Sequence, residues 1–195
     1  EDWLDAIDAR IAYRGPDGAG RFRDRVEVNT PEGRKTVEVA FVHRRLSIID
    51  HASGGQPMVS ERGRTDEESL VAVVFNGCIY NHRELRKELE AAGHRFVTDH
   101  SDTEVLIHGW REWGANVIKH LEGMYAFAIW NRTEQTLFLA RDRMGMKPLY
   151  FAEHEGRLYF SSEIKGILEH ARMPRRPNLA TLPMYMRVGF VTAPH

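Results

Sequence analysis

The spacing of apolar and polar positions changes along the chain, and each change marks an element. Residues 3–12 carry apolar side chains at 3, 4, 7, 11 and 12, the spacing of one helix face. Arg14-Gly15-Pro16-Asp17-Gly18 ends that helix in a turn. Residues 20–29 and 35–42 read as strands joined near Pro31-Glu32-Gly33. The turn formers Ser53-Gly54-Gly55-Gln56-Pro57 mark a loop, and the polar stretch 61–69 reads as a solvated one. Residues 70–75 are almost continuously apolar, the pattern of a buried strand that ends at Asn76-Gly77.

Asn81 is placed to cap a helix over 82–92, with Gly93 closing it. Ser101 or Asp102 caps a second helix over 103–113, where Leu106, Ile107 and Trp110 recur at helical spacing. From Met124 the period shortens. MYAFAIW, TLFLARD, PLYFAE and RLYFSS follow one another with turns between them, which predicts an antiparallel meander. A short helix over 162–169, a break at Pro174 and Pro177, and a last helix from near Asn178 complete the reading. The class is α+β, antiparallel sheets with helices on their outer faces.

Composition narrows the functions. With 195 residues, 42% hydrophobic and 28% charged, the chain has enough apolar material for one sizeable core, and disorder is excluded. The 27 basic residues are balanced by 28 acidic ones, so no basic excess draws the chain to nucleic acid or to an anionic membrane. No apolar run is long enough to span a bilayer, and the acidic start lacks the pattern of a signal peptide. One cysteine, Cys78, excludes an internal disulfide and a multi-cysteine metal site, and no metal is expected. A cytoplasmic setting is expected.

Taken singly, the polar candidates have ordinary explanations. Asn76-Gly77 is a favoured hairpin turn pair, Asp102 a helix cap and Arg44-Arg45 a solvated pair. Arg141-Asp142-Arg143 reads as a surface ion-pair cluster, and Cys78 as an inert core thiol. Taken together they suggest a site. An Asn-Gly at a strand end can aim an amide side chain and a backbone N–H at one point, as an oxyanion requires. An arginine offers a fork for a carboxylate and an aspartate can hold an ammonium, so the ligand would be an α-amino acid. A third arrangement makes Cys78 the nucleophile with His43 or His82 as its base.

The motifs Arg14-Gly15-Pro16-Asp17-Gly18, His43-Arg44-Arg45-Leu46-Ser47-Ile48-Ile49-Asp50, Gly54-Gly55-Gln56-Pro57-Met58 and Phe75-Asn76-Gly77-Cys78-Ile79-Tyr80-Asn81 occur in that order. Ser101-Asp102-Thr103-Glu104-Val105, the stretch 121–128, the stretch 140–150 and Ser161-Ser162-Glu163-Ile164-Lys165 follow. In this series the chain resembles the class II glutamine amidotransferases, and among them the glutamine-hydrolysing asparagine synthetases, over about residues 13–167.

The resemblance implies an N-terminal-nucleophile hydrolase fold, a four-layer α-β-β-α sandwich of two antiparallel sheets. It implies hydrolysis of L-glutamine to glutamate and ammonia. Arg45 would grip the glutamine carboxylate. Leu46, Ser47, Ile48 and Ile49 would line the pocket, Asn76 and Gly77 would form the oxyanion hole, and Asp102 would hold the ammonium. No cofactor is expected in this domain. ATP and Mg²⁺ would serve a synthetase domain in cis that amidates aspartate or a related carboxylate with ammonia delivered through a tunnel. Residues 1–170 would be the amidotransferase domain and 171–195 the start of the connection. The resemblance is also compatible with a homodimer.

The chain departs from the family pattern in two places. The family nucleophile is a cysteine at the mature N-terminus whose own α-amine is the base. Residue 1 here is Glu, and residues 1–13 contain no Cys, Ser or Thr. The first strand is thus expected to be missing, and these 195 residues alone to be inactive. Where the family has Glu after Asn-Gly, helping to bind the ammonium, this chain has Cys78. Two readings stay open: a clipped glutaminase domain, or an amidotransferase-like binding or scaffold domain without catalysis.

Overall fold

The computed structural model describes residues 3–31, 33–46, 54–60 and 70–191. The polar stretch 61–69 lies outside them, as do Ser47, Ile48 and Ile49. Helix α1 (Trp3–Ile11) runs on as a 3₁₀ turn, and strands β1 (Gly18–Thr30) and β2 (Gly33–Arg45) form a long hairpin in register from Gly18–Arg45 to Thr30–Gly33. The hairpin outruns its sequence expectation at both ends. Its tip pairs through polar and charged residues that carry no apolar alternation.

The central sheet is antiparallel in the order β3 (Met58–Ser60), β4 (Val71–Ile79), β5 (Gly123–Asn131), β6 (Thr136–Arg141). Its two faces explain the continuous apolar run of β4. Val71, Val73, Phe75 and Ile79 share one core with Tyr125, Phe127 and Ile129 of β5. Helices α2 (His82–Ala91) and α3 (Asp102–Trp113) cover that face with Leu85, Leu89, Val105, Leu106 and Trp110. Ala72, Val74, Ala128 and Trp130 face the other way, against Val26, Val39 and Phe41 of the hairpin. A strand buried on both faces cannot alternate polar with apolar. Indole Nε1 of Trp130 donates to Asp24 of β1 at 2.8 Å and pins the two layers together.

A second hairpin, β7 (Tyr150–His154) with β8 (Arg157–Ser161), lies beside the first, where Phe160 meets Phe41 edge-on at 5.8 Å between ring centroids. Helix α4 (Ile164–Leu168) and α1 lie over this layer, and α5 (Leu182–Val188) is the last element among the described residues. The order of layers is helices, hairpins, central sheet, helices: the α+β sandwich expected. The meander is interrupted, however. β5 pairs β6 and β7 pairs β8, but β6 and β7 lie in different sheets. The connection between them is long and tightly folded, so the chain changes layer there.

Asn76-Gly77 is not a hairpin turn. Strand β4 runs through both residues to Ile79, with Gly77 opposite Tyr125 of β5. Asn81 precedes α2 without capping it; its side chain donates to His120 C=O and accepts from Glu122 N–H at 2.8 and 3.0 Å. Arg141-Asp142-Arg143 is not a surface ion-pair cluster. Asp142 is buried, and its carboxylate accepts from the N–H groups of Tyr125, Met146 and Lys147 at 2.9–3.2 Å. Arg141 donates to the carbonyls of Gly145 and Lys147 at 2.6 Å, so the connection is wound around this pair.

Glu104 on α3 holds the approach to that helix. It is buried and accepts from Val97 N–H at 2.7 Å, Thr98 N–H at 2.8 Å and the Thr98 hydroxyl, with His108 Nε2 3.5 Å away. Burial pushes the carboxyl up, but His108, Thr98 and the two amides prevail and hold it at about 2. A depressed carboxyl stabilises the fold above its unfolded value of 4.5, and that contribution is lost as pH falls towards 2. Glu104→Gln puts a donor among donors. Urea unfolding should show it less stable than the parent by about 3 kcal/mol at neutral pH. The gap should close as the pH is lowered from about 4.5 to about 2.

Candidate active site

The turn 14–18 seats the end of β2. Pro16 bridges to Arg45, and Asp17 N–H donates to the Arg45 carbonyl at 3.0 Å. Neighbouring arginines then diverge, as strand alternation requires. Arg44 pairs with Asp8, a buried carboxylate on α1 that also takes Arg21 at 2.9 Å. Arg45 faces a cavity of about 470 Å³ under α1 and between the hairpins. Leu46 lies at its rim, 58% exposed, and His43 lines the wall beside Arg45. Burial and the Arg45 guanidinium hold the His43 imidazole down at about 4, so it is neutral at neutral pH.

Asn76, Gly77 and Cys78 enter the same cavity from β4. Gly77 has no room for a side chain, since a Cβ there would sit 2.2 Å from the Met124 carbonyl oxygen of β5. Asn76 Nδ2 is buried and has no hydrogen-bond partner among the described residues. A buried amide donor without an acceptor is costly, and it points to an acceptor supplied by a ligand.

Asp102 lines the cavity from the first residue of α3. Rather than capping the helix, its Oδ2 accepts from Ile79 N–H at 3.1 Å, one residue beyond Cys78. Burial pushes its carboxyl up, against the pull of that amide and of His82. The Cys78 thiol is also pushed up, by burial and by Asp102, while Lys147 pulls it down. Lys147 reaches the cavity wall from the connection wound on Asp142. The cavity wall therefore carries the cations Arg14, Arg44, Arg45 and Lys147, the carboxylate of Asp102 and the side-chain amide of Asn76. Among the described residues no group of side chains has the make-up of a metal site.

A family profile of the glutamine amidotransferase domain matches residues 1–195. The chain belongs to this glutamine amidotransferase family. Asparagine synthetase [glutamine-hydrolyzing] 1 of Bacillus subtilis is 39% identical over 194 residues, all of this chain and 28% of the relative. Asparagine synthetase [glutamine-hydrolyzing] 1 of Arabidopsis thaliana is 33% identical over 162 residues, 83% of this chain and 24% of the relative. The domain thus spans about a quarter of the length of such relatives. Among solved structures, the glutamine phosphoribosylpyrophosphate amidotransferase of B. subtilis superposes with a TM-score of 0.61 at 23% identity, over 83% of this chain and 39% of that one. That likeness is one of fold.

The amidotransferase motifs named from the sequence thus meet in one place. Arg45, Leu46, Asn76, Gly77, Cys78 and Asp102 share the cavity, while Ser47, Ile48 and Ile49 lie outside the described residues. Gln56 and Lys147 line it too, without a role read from the sequence, as does His43, the candidate base for Cys78. Gln56 sat unremarked among turn formers, and Lys147 became a wall residue only through a loop wound on a buried aspartate.

A raised thiol is a poor nucleophile. Iodoacetamide should label Cys78 more slowly than a free thiol at about pH 7.5, as read by mass spectrometry. Asp102→Asn should speed the labelling, and Lys147→Met should slow it further.

Proposed function

We propose that the cavity binds L-glutamine and that the domain hydrolyses its side-chain amide, supplying ammonia to a synthetase domain in the same polypeptide. The observation that carries this reading is the unpartnered Asn76 Nδ2, buried beside Gly77 in a cavity that also holds Arg45 and Asp102. Arg45 takes the α-carboxylate and Asp102 the α-ammonium. Asn76 Nδ2 and the Gly77 N–H receive the amide oxygen as it becomes an oxyanion. Cys78, standing where the family has Glu, removes one anion from the ammonium end, and glutamine binds more weakly for it.

The nucleophile comes from a segment that lies along the same groove. On its hairpin-layer side the cavity is walled by 40–45 of β2 and 158–161 of β8; among the described residues β2 ladders with β1 and β8 with β7, apart from the Pro16–Arg45 bridge. An extended segment of the parent protein fits between them and brings a terminal cysteine to the Asn76 and Gly77 donors. Its thiol attacks the amide carbon and its α-amine carries the proton to the departing ammonia. Water then frees glutamate from the thioester. The acceptor of the ammonia is aspartate or a related carboxylate, activated with ATP and Mg²⁺ outside these residues.

Glutamate release by the full-length protein tests the reading. The 195-residue chain alone should release none. In the full-length protein Arg45→Ala should raise KM at least about tenfold, and Asn76→Ala should lower kcat about a hundredfold. Cys78→Glu should tighten glutamine binding about tenfold or more. Release by the 195-residue chain that survives Asn76→Ala sinks the proposal. Glutamine binding by the full-length protein without any hydrolysis would make this a binding domain instead.

A further inference from the structure

The β3–β4 ladder ends early. Met58, Val59 and Ser60 pair with Val73, Ala72 and Val71, so β4 from Phe75 onward runs past its partner. Backbone amides along a strand point alternately to its two edges. Phe75, Gly77 and Ile79 therefore turn their N–H groups to this one open edge. Two side chains, not a strand, meet them. Carried two residues further, the β3 register puts Gln56 opposite Phe75. There its Oε1 accepts from Phe75 N–H at 2.7 Å, as a strand carbonyl would. Asp102 takes Ile79 N–H at the far end. Gly77 N–H lies between the two caps, on the cavity.

Gln56 also joins the two sides of the site. Its Nε2 lies 3.4 Å from Oγ1 of Thr103, the neighbour of Asp102 on α3. Its main chain is held from behind, since a Cβ on Gly20 of β1 would sit 2.0 Å from the Gln56 carbonyl oxygen. Both polar ends of the side chain have protein partners, so it acts through β4 and α3 and not on the substrate.

We infer that Gln56 is a positioning residue for glutamine hydrolysis: it closes the β4 edge at Phe75 and ties it to α3, which holds the Gly77 N–H in place as an oxyanion donor. This rests on the glutaminase reading above. The test compares Gln56→Met and Gln56→Glu in the full-length protein. Met removes both hydrogen bonds at similar size, whereas Glu keeps the acceptor for Phe75. Gln56→Met should lower kcat for glutamate release about tenfold to a hundredfold with KM changed less than about threefold. Gln56→Glu should recover most of the loss. Amide hydrogen exchange supplies a readout without turnover. In Gln56→Met, protection of Phe75 N–H should fall at least about tenfold while Val73, under β3, keeps its own. An unchanged kcat, a loss confined to KM, or a Phe75 amide as slow as in the parent overturns the inference. If the parent releases no glutamate, the glutaminase reading fails by itself, and the exchange of Phe75 still decides whether Gln56 caps the edge.

Discussion

Every buried backbone amide needs an acceptor, and the site follows from how β4 meets that requirement. The strand is deep in the molecule, sandwiched between helices on one face and a hairpin on the other. Its neighbour β3 covers only three of its residues. The rest of that edge is satisfied piecemeal, by a glutamine from a loop and an aspartate from a helix. What a longer β3 would have sealed is instead an edge where the Gly77 amide lies at the cavity between two capped neighbours. The cavity opens at a gap in a hydrogen-bond ladder, kept open by side chains that stop short of filling it.

Charge is arranged around that gap in layers. Arg44 and Arg45 are adjacent in sequence but serve different partners, because a strand sends neighbours to opposite faces. Arg44 is taken up by the buried Asp8 of α1, and Arg45 joins Lys147 on the cavity wall. On the other side Asp102 is drawn in by a backbone amide, and Lys147 is delivered by a loop folded on Asp142. Each charge at the cavity has a structural support one layer out.

Much of this was legible in the residues. The helix over 3–12, the buried strand from 70 and the helix pair followed from apolar spacing. The grouping of Arg45, Asn76, Gly77 and Asp102 came from the family resemblance that a series of short motifs carries. Local rules failed where tertiary pairing overrode them. Asn76-Gly77 has the chemistry of a turn, yet it stays in a strand because β5 pairs through it at Met124–Ala126. Asp142 sits between two arginines, which suggests a surface pair, but backbone amides from three different positions claim it first. Gln56 could not be singled out. Its role depends on where β3 stops relative to β4, and nothing in a one-dimensional pattern gives that offset.

Because β4 is packed on both sides, its register is tied to the core as a whole. Sliding it by one residue would exchange its faces, sending Asn76 towards the helices and Phe75 towards the groove. Ala72, which faces the hairpin, would then meet the helical layer, and Val71 and Val73 would turn towards the hairpin. Evolution cannot therefore retune the donor row by small shifts of the strand. What can change without moving the strand is what surrounds it, the side chain at 78 and the loop that carries Lys147.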